Sequence, residues 1–224
     1  MTKPSSRTRV KICGITRIDD GLAAANAGAD AIGLIFWPGT PRRVDFEQAR
    51  AIAAALPAFV TVVGLFVDPQ PAAVHAALDA VPLDVLQFHG DEPQALCAGF
   101  GRPYIKAVPV RPDLDLLQYA SRYGDARAWL FDAFQSDGMP GGTGRTFDWN
   151  ALASHLAMGL ARPPVISGGL TALNVGAAIR ALRPWGVDVS SGVEVRGDDG
   201  KPRKGIKDAA RIAAFIRGVR DADG

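Results

Sequence analysis

Ile166-Ser-Gly-Gly-Leu170 and Asp188-Val-Ser-Ser-Gly192 each end a short apolar run on small residues, and both lie late in the chain. Glycine lets a backbone approach an anion closely, so that amide N–H groups and helix amino termini can donate to it, and Ser190 and Ser191 add hydroxyl donors. Upstream, β-branched or apolar runs alternate with Ala-rich segments of helical period, the pattern of βα units on a parallel sheet. Strands are predicted over Val10–Ile15, Ala31–Phe36, Val60–Val67, Val85–His89, Tyr104–Val110, Ala128–Ala133, Pro164–Ser167 and Val187–Ser190. Helices are predicted over Asp19–Ala27, Asp45–Leu56, Gln70–Ala80, Pro93–Gly99, Leu114–Tyr123, Trp149–Met158, Ala172–Leu182 and Asp208–Val219. An open dinucleotide-binding sheet carries its glycine-rich turn after the first strand, whereas this chain carries its glycine pairs after the last ones. A closed parallel barrel holds phosphate on the loops after strands seven and eight. The expected fold is therefore α/β, a single (β/α)8 TIM barrel spanning residues 1–224.

Composition fits one core. The 224 residues are 48% apolar, and the 25 Gly and 16 Pro punctuate periodic segments rather than forming a linker. A formal charge of +2, with no basic run interleaved with aromatics, leaves nothing that suits nucleic acid. Cys13 and Cys97 lie far apart without metal-ligand spacing, which fits a reducing cytoplasm and no metal site. The basic amino terminus lacks the apolar run of a signal peptide, and no segment is long and apolar enough to span a bilayer. Oligomeric state is not legible.

Chemistry-bearing residues fall at strand ends, where a barrel places its active site. Arg9-Val-Lys-Ile-Cys-Gly-Ile-Thr16 reads as a buried strand that stops on glycine with a thiol at its mouth. Alternation puts Lys11 and Cys13 on one face, towards the barrel interior. A free cysteine there can be packing, or it can be a base or nucleophile if a cation such as Lys11 favours the thiolate. Trp129-Leu-Phe-Asp132 puts a carboxyl at the same mouth, flanked by apolar residues that suit a proton donor. In Trp37-Pro-Gly-Thr-Pro-Arg-Arg-Val44 two guanidinium groups sit on a loop restrained by prolines, suited to forked capture of a carboxylate. Gly141-Gly-Thr-Gly144 adds a third phosphate-cradle segment, contributing Gly142 and Gly144 beside Gly168, Gly169 and Gly192. His89 is read as a strand-end hydrogen-bonding group and Gln87 as a polar filler of the barrel.

Several of these motifs, in this order, are similar to those of the phosphoribosylanthranilate isomerase family of tryptophan biosynthesis. The resemblance rests on Lys11-Ile-Cys-Gly-Ile-Thr16, the Pro41-Arg42 loop, Leu86-Gln-Phe-His-Gly90, Phe131-Asp132, Gly141-Gly-Thr-Gly-Arg-Thr-Phe-Asp-Trp149, Ser167-Gly-Gly-Leu170 with Asn174, and Val187-Asp-Val-Ser-Ser-Gly-Val-Glu194. It implies Cys13 as general base, Asp132 as general acid, Arg42 rather than Arg43 as binder of the anthranilate carboxylate, and phosphate on Gly142–Gly144, Gly168–Gly169 and Ser190–Gly192. The implied reaction is an Amadori rearrangement of a phosphorylated small molecule, with no cofactor. Two departures stand out. Phe88 takes a place where the family often has leucine, and the charged run from Val195 to Gly205 is longer than expected and reads as an exposed turn.

Two other readings compete. A lyase of the indole-glycerol-phosphate synthase type would share the barrel and the anthranilate and phosphate recognition, and would need a lysine acid, for which Lys106 could serve, and paired glutamates, but glutamates are missing from the ends of strands two to seven. A non-catalytic phosphate-binding barrel would need only the glycine loops, and the joint presence of Cys13 and Asp132 argues against it.

Overall fold

The computed structural model describes residues 7–111, 113–133, 152–153 and 160–224. Eight parallel strands close in chain order: β1 (Arg9–Cys13), β2 (Ala31–Ile35), β3 (Thr61–Phe66), β4 (Val85–Phe88), β5 (Tyr104–Val110), β6 (Ala128–Ala133), β7 (Pro164–Ile166) and β8 (Gly186–Val189), with β8 pairing back onto β1. The expected strands all occur, with ends that move by at most two residues. Helices follow over Ile18–Ala27, Phe46–Ala55, Pro71–Ala80, Gln94–Ala98, Leu116–Ser121, Val175–Leu182 and Ala209–Asp223. The expected helix Trp149–Met158 falls largely outside the described residues, as do Gly142 and Gly144.

Local chemistry explains the helix ends. Asp45 accepts from the Gln48 amide at 2.8 Å, Asp115 from Gln118 at 2.9 Å, and Asp208 from Ala210 and Arg211, which satisfies otherwise orphaned N–H groups. Pro71 opens its helix where its missing N–H costs nothing.

The period of two sorts the strands into two populations. Val10, Ile12, Ile32, Leu34, Leu86, Phe131, Val187 and Val189 face outward and join helix residues such as Ile52, Val74, Ile179 and Phe215 in one core. Phe88 belongs to this outer set, with ring contacts to Phe66, Phe100 and Tyr104 at centroid distances of 6.2, 5.9 and 6.0 Å. Its volume is absorbed by an aromatic cluster between sheet and helices. Residues of opposite parity face inward, and Lys11 and Asp188, adjacent in the β1–β8 register, form a buried ion pair there at 2.9 Å.

The run expected to be an exposed turn is instead an antiparallel hairpin, β9 (Glu194–Arg196) with β10 (Pro202–Lys207). Its tip is exposed, but at its base Glu194 and Lys207 are paired in register and buried. The charged residues of the run itself are exposed, as expected. The burial of Glu194 and Lys207, which flank it, is made possible by ion pairing across the hairpin.

Candidate active site

At the carboxyl end of the barrel the inward-facing positions Cys13 (β1), Ile35 (β2), Leu65 (β3), Asp132 (β6) and the strand-end residues His89, Ser167 and Ser190 line one pocket, together with Trp37 and Arg42 from the loop after β2. Alternation places the strand residues: each lies two residues beyond another inward residue of its strand, as Cys13 does beyond Lys11 and His89 beyond Gln87. The site is thus the topmost inner layer of the barrel, with Ile35, Leu65 and Trp37 as an apolar wall beside the thiol.

Cys13 is 4% exposed, and burial pushes its thiol above the ordinary range. Lys11 beside it favours the thiolate, as expected, but Asp188 acts in the opposite sense and is itself tied to Lys11. The cation therefore limits the cost of ionising the thiol without making the thiolate the resting form.

Asp132 is buried, and its Oδ2 lies 2.9 Å from His89 Nε2, while Gln87 Nε2 lies 3.0 Å from His89 Nδ1. With the amide donating to Nδ1, the imidazole carries its proton on Nε2 and donates to Asp132. The expectation that His89 hydrogen-bonds and Gln87 fills the barrel is met. What sequence reasoning missed is that the partner is the candidate acid, 43 residues away in the chain. Leaving a buried polar atom without such a partner costs about 1–3 kcal/mol. His89→Leu is accordingly expected to lower kcat/KM by about 10- to 100-fold, and an unchanged value would show that Asp132 is oriented without the imidazole.

Arg42 is held by a fork: its Nε and Nη2 donate to Glu194 Oε1 and Oε2 at 2.7 and 2.8 Å. The arginine passes over Gly14, whose φ is +72°, and a Cβ there would lie 2.9 Å from Arg42 Cδ and 3.2 Å from Ser190 Oγ. Only glycine admits both the left-handed backbone and the close approach of those two side chains. Arg43 instead pairs its backbone with Ile35 and is exposed.

The late glycine segments converge. Gly168 and Gly169 have φ of +84° and +63°, and Asn174 pins their turn by donating to the Gly169 carbonyl at 3.0 Å. Ser191 is buried in a 3-10 turn, Ser191–Val193, that packs against the same segment. A Cβ on Gly192 would fall 1.9 Å from the Leu170 carbonyl oxygen. We expect Gly192→Ala to push the two loops apart, lowering the melting temperature by several degrees and raising KM, as melting curves and saturation kinetics would register; an unaltered melting curve would contradict the close approach.

Among the described residues no group of His, Cys, Asp and Glu is arranged to hold a metal ion, and no helix is long and apolar enough to cross a membrane.

Compared with known proteins, residues 10–218 match the family model described as N-(5'phosphoribosyl)anthranilate (PRA) isomerase. The chain belongs to the PRA isomerase family. A PRA isomerase of Pseudomonas putida (strain W619) is 54% identical over 217 residues, covering 97% of this chain and all of that one. One from Azotobacter vinelandii is 52% identical over 214 residues, covering 96% and 98%. The crystal structure of the Thermotoga maritima enzyme superposes with a TM-score of 0.81 at 37% identity, covering 96% and 99%. Another PRA isomerase, at 36% identity, a TM-score of 0.77 and the same coverage, was solved in complex with reduced 1-(o-carboxyphenylamino)-1-deoxyribulose 5-phosphate.

Within this PRA isomerase barrel the residues that a rival lyase would need are engaged elsewhere. Lys106 shares the register of outward-facing Phe88 and is fully buried, and its ammonium bonds the Gly90 carbonyl and Glu92 Oε2, the latter at 2.8 Å. Glu92, a glutamate just beyond β4 that the sequence reading had passed over, also accepts from the amides of Asp68 and Gly90 at 2.9 and 3.0 Å. The pair clamps the β3 and β4 loops from behind the sheet and does not reach the pocket. Glu194 and Lys207 were missed for a different reason: nothing local marks a charged residue that is buried by a partner from another loop.

Proposed function

We propose that this PRA isomerase converts N-(5'-phosphoribosyl)anthranilate to 1-(2-carboxyphenylamino)-1-deoxyribulose 5-phosphate with Asp132 as general acid and Cys13 as general base. The observation that carries the assignment is their joint position on the inner layer of one pocket, with Arg42 and Ser190 lining the same space. Asp132 in its protonated form gives its proton to the furanose ring oxygen as the ring opens to a Schiff base. Cys13 as thiolate then takes the proton from C2′, and the resulting enolamine tautomerises to the ketone. Arg42 takes the anthranilate carboxylate, and Gly168, Gly169, Ser190, Ser191 and Gly192 take the phosphate, with Gly142 and Gly144 assigned to the same anion on sequence grounds. Binding at the two charged ends supplies orientation to the reacting centre between them.

The apolar wall of Ile35, Leu65 and Trp37 supports a place for the anthranilate ring beside Arg42. We assign the whole chain to one barrel domain, and the two buried, unpaired cysteines support a cytoplasmic setting. The test is the decay of substrate fluorescence on adding purified protein. Rapid decay supports the reading, and none under conditions where the chain is folded refutes it.

A further inference from the structure

The hairpin places directly behind the pocket-lining Ser190 a lysine to which the proposed reaction gives no part. Lys207 is 3% exposed, and its Nζ donates to the Ser190 carbonyl at 3.0 Å and lies 3.3 Å from both Ser190 Oγ and Glu194 Oε1. Its backbone is anchored independently. The Lys207 amide donates to Asp20 Oδ2 at 3.0 Å, its carbonyl accepts from Arg17 Nη2 at 3.3 Å, and the Gly205 amide donates to Glu194 Oε1 at 2.8 Å. The backbone that carries the ammonium is therefore held by Arg17 and Asp20, at the start of the helix after β1, and by the pairing of the two hairpin strands.

Its two sets of contacts reach the two neighbouring groups assigned to different anions of the substrate: Ser190, assigned to the phosphate, and Glu194, the carboxylate that forks onto Arg42, assigned to the anthranilate carboxylate. Among the described residues around the thiol, Lys11 is matched by Asp188 and Arg42 by Glu194, whereas Lys207 only shares Glu194. Burial and the neighbouring Arg42 act to lower its pKa, with Glu194 opposing them. A buried cation without a carboxylate of its own is costly, and a bound anion relieves that cost.

We propose that Lys207 is a positioning residue that locks the phosphate end of the site to the carboxylate end, through Ser190 on one side and Glu194–Arg42 on the other. This rests on the reading that Ser190 serves the phosphate and Arg42 the carboxylate. With Lys207 in place, the two anchoring groups keep one separation, and an anion at either end meets a preformed partner.

Inorganic phosphate and anthranilate, used as separate inhibitors of the full chain, test the idea. Lys207→Met removes the charge at similar length and is expected to weaken inhibition by both at least about tenfold. KM should rise far more than kcat falls, and Lys207→Arg should recover part of the loss. A lysine that merely supports the fold would lower the melting temperature and leave both inhibition constants as they are. Unchanged constants, or a change for one inhibitor only, would overturn the proposal. Should Lys207→Met not fold, Glu194→Gln serves instead: it leaves Ser190 untouched, yet phosphate inhibition should weaken several-fold because its lock is broken. No effect on phosphate there would equally overturn the coupling. A wild-type chain that does not turn over the substrate would count against the site reading itself, whereas normal turnover with unaltered variants sinks only the role of Lys207.

Discussion

Asp132→Asn is expected to lower kcat by about 10²–10⁴-fold, the size of a general-acid contribution. The substitution is informative because an asparagine oxygen can still accept from His89 Nε2, which lies 2.9 Å from Asp132 Oδ2 in the parent chain. Geometry is preserved while the transferable proton is lost. KM and the melting temperature should therefore stay close to wild type, and single-turnover measurements should place the defect in chemistry rather than binding. Wild-type turnover by Asp132→Asn would remove this residue from the mechanism and direct attention to another donor in the pocket.

The second large effect concerns the thiol. Cys13→Ser should lower kcat/KM by about 10²–10⁴-fold, because a serine hydroxyl is not appreciably ionised at neutral pH. The pH profile adds a signed test. In the proposed roles the thiol must be ionised while the acid still has a proton to deliver, and raising the pH past the thiol's own titration removes the one proton the pair then holds. Activity therefore falls on the alkaline side as the thiol titrates. Burial raises that titration, Lys11 opposes the rise and Asp188 reinforces it. The fall should thus begin only above the ordinary thiol value of about 8.5 and should vanish from the residual activity of Cys13→Ser. A fall beginning below that value would show that the thiol is activated in the resting enzyme, contrary to its burial.

The same contrast between local and non-local forces runs through the site. Strand positions were legible because parallel strands covered on both faces must be apolar, and β1 and β2 are buried along nearly their whole length. Inward placement of Cys13 and Asp132 was legible because side chains alternate with period two. The convergence of the loops after β7 and β8 followed from barrel closure, and the near-contact of Gly192 with Leu170 is its local expression. In contrast, the charged stretch after Val195 is solvated as its composition suggests, but that composition carries no sign of the flanking Glu194 and Lys207 closing on each other.

By itself, then, the chain's sequence determined an eight-stranded barrel, the parity of its inner layer, the glycine turns suited to an anion and, through resemblance, the reaction. The first three follow from rules acting over a few residues: alternation, capping, and the backbone freedom of glycine. Tertiary structure alone decided which charges meet. Arg42 forks onto Glu194 across 152 residues of chain, Lys11 pairs with Asp188 across 177, and His89 reaches Asp132 across 43. Electrostatic energy depends on distance in space and on burial, so the ionisation of Cys13, the aim of Arg42 and the setting of Lys207 are properties of the closed barrel and not of any segment of it.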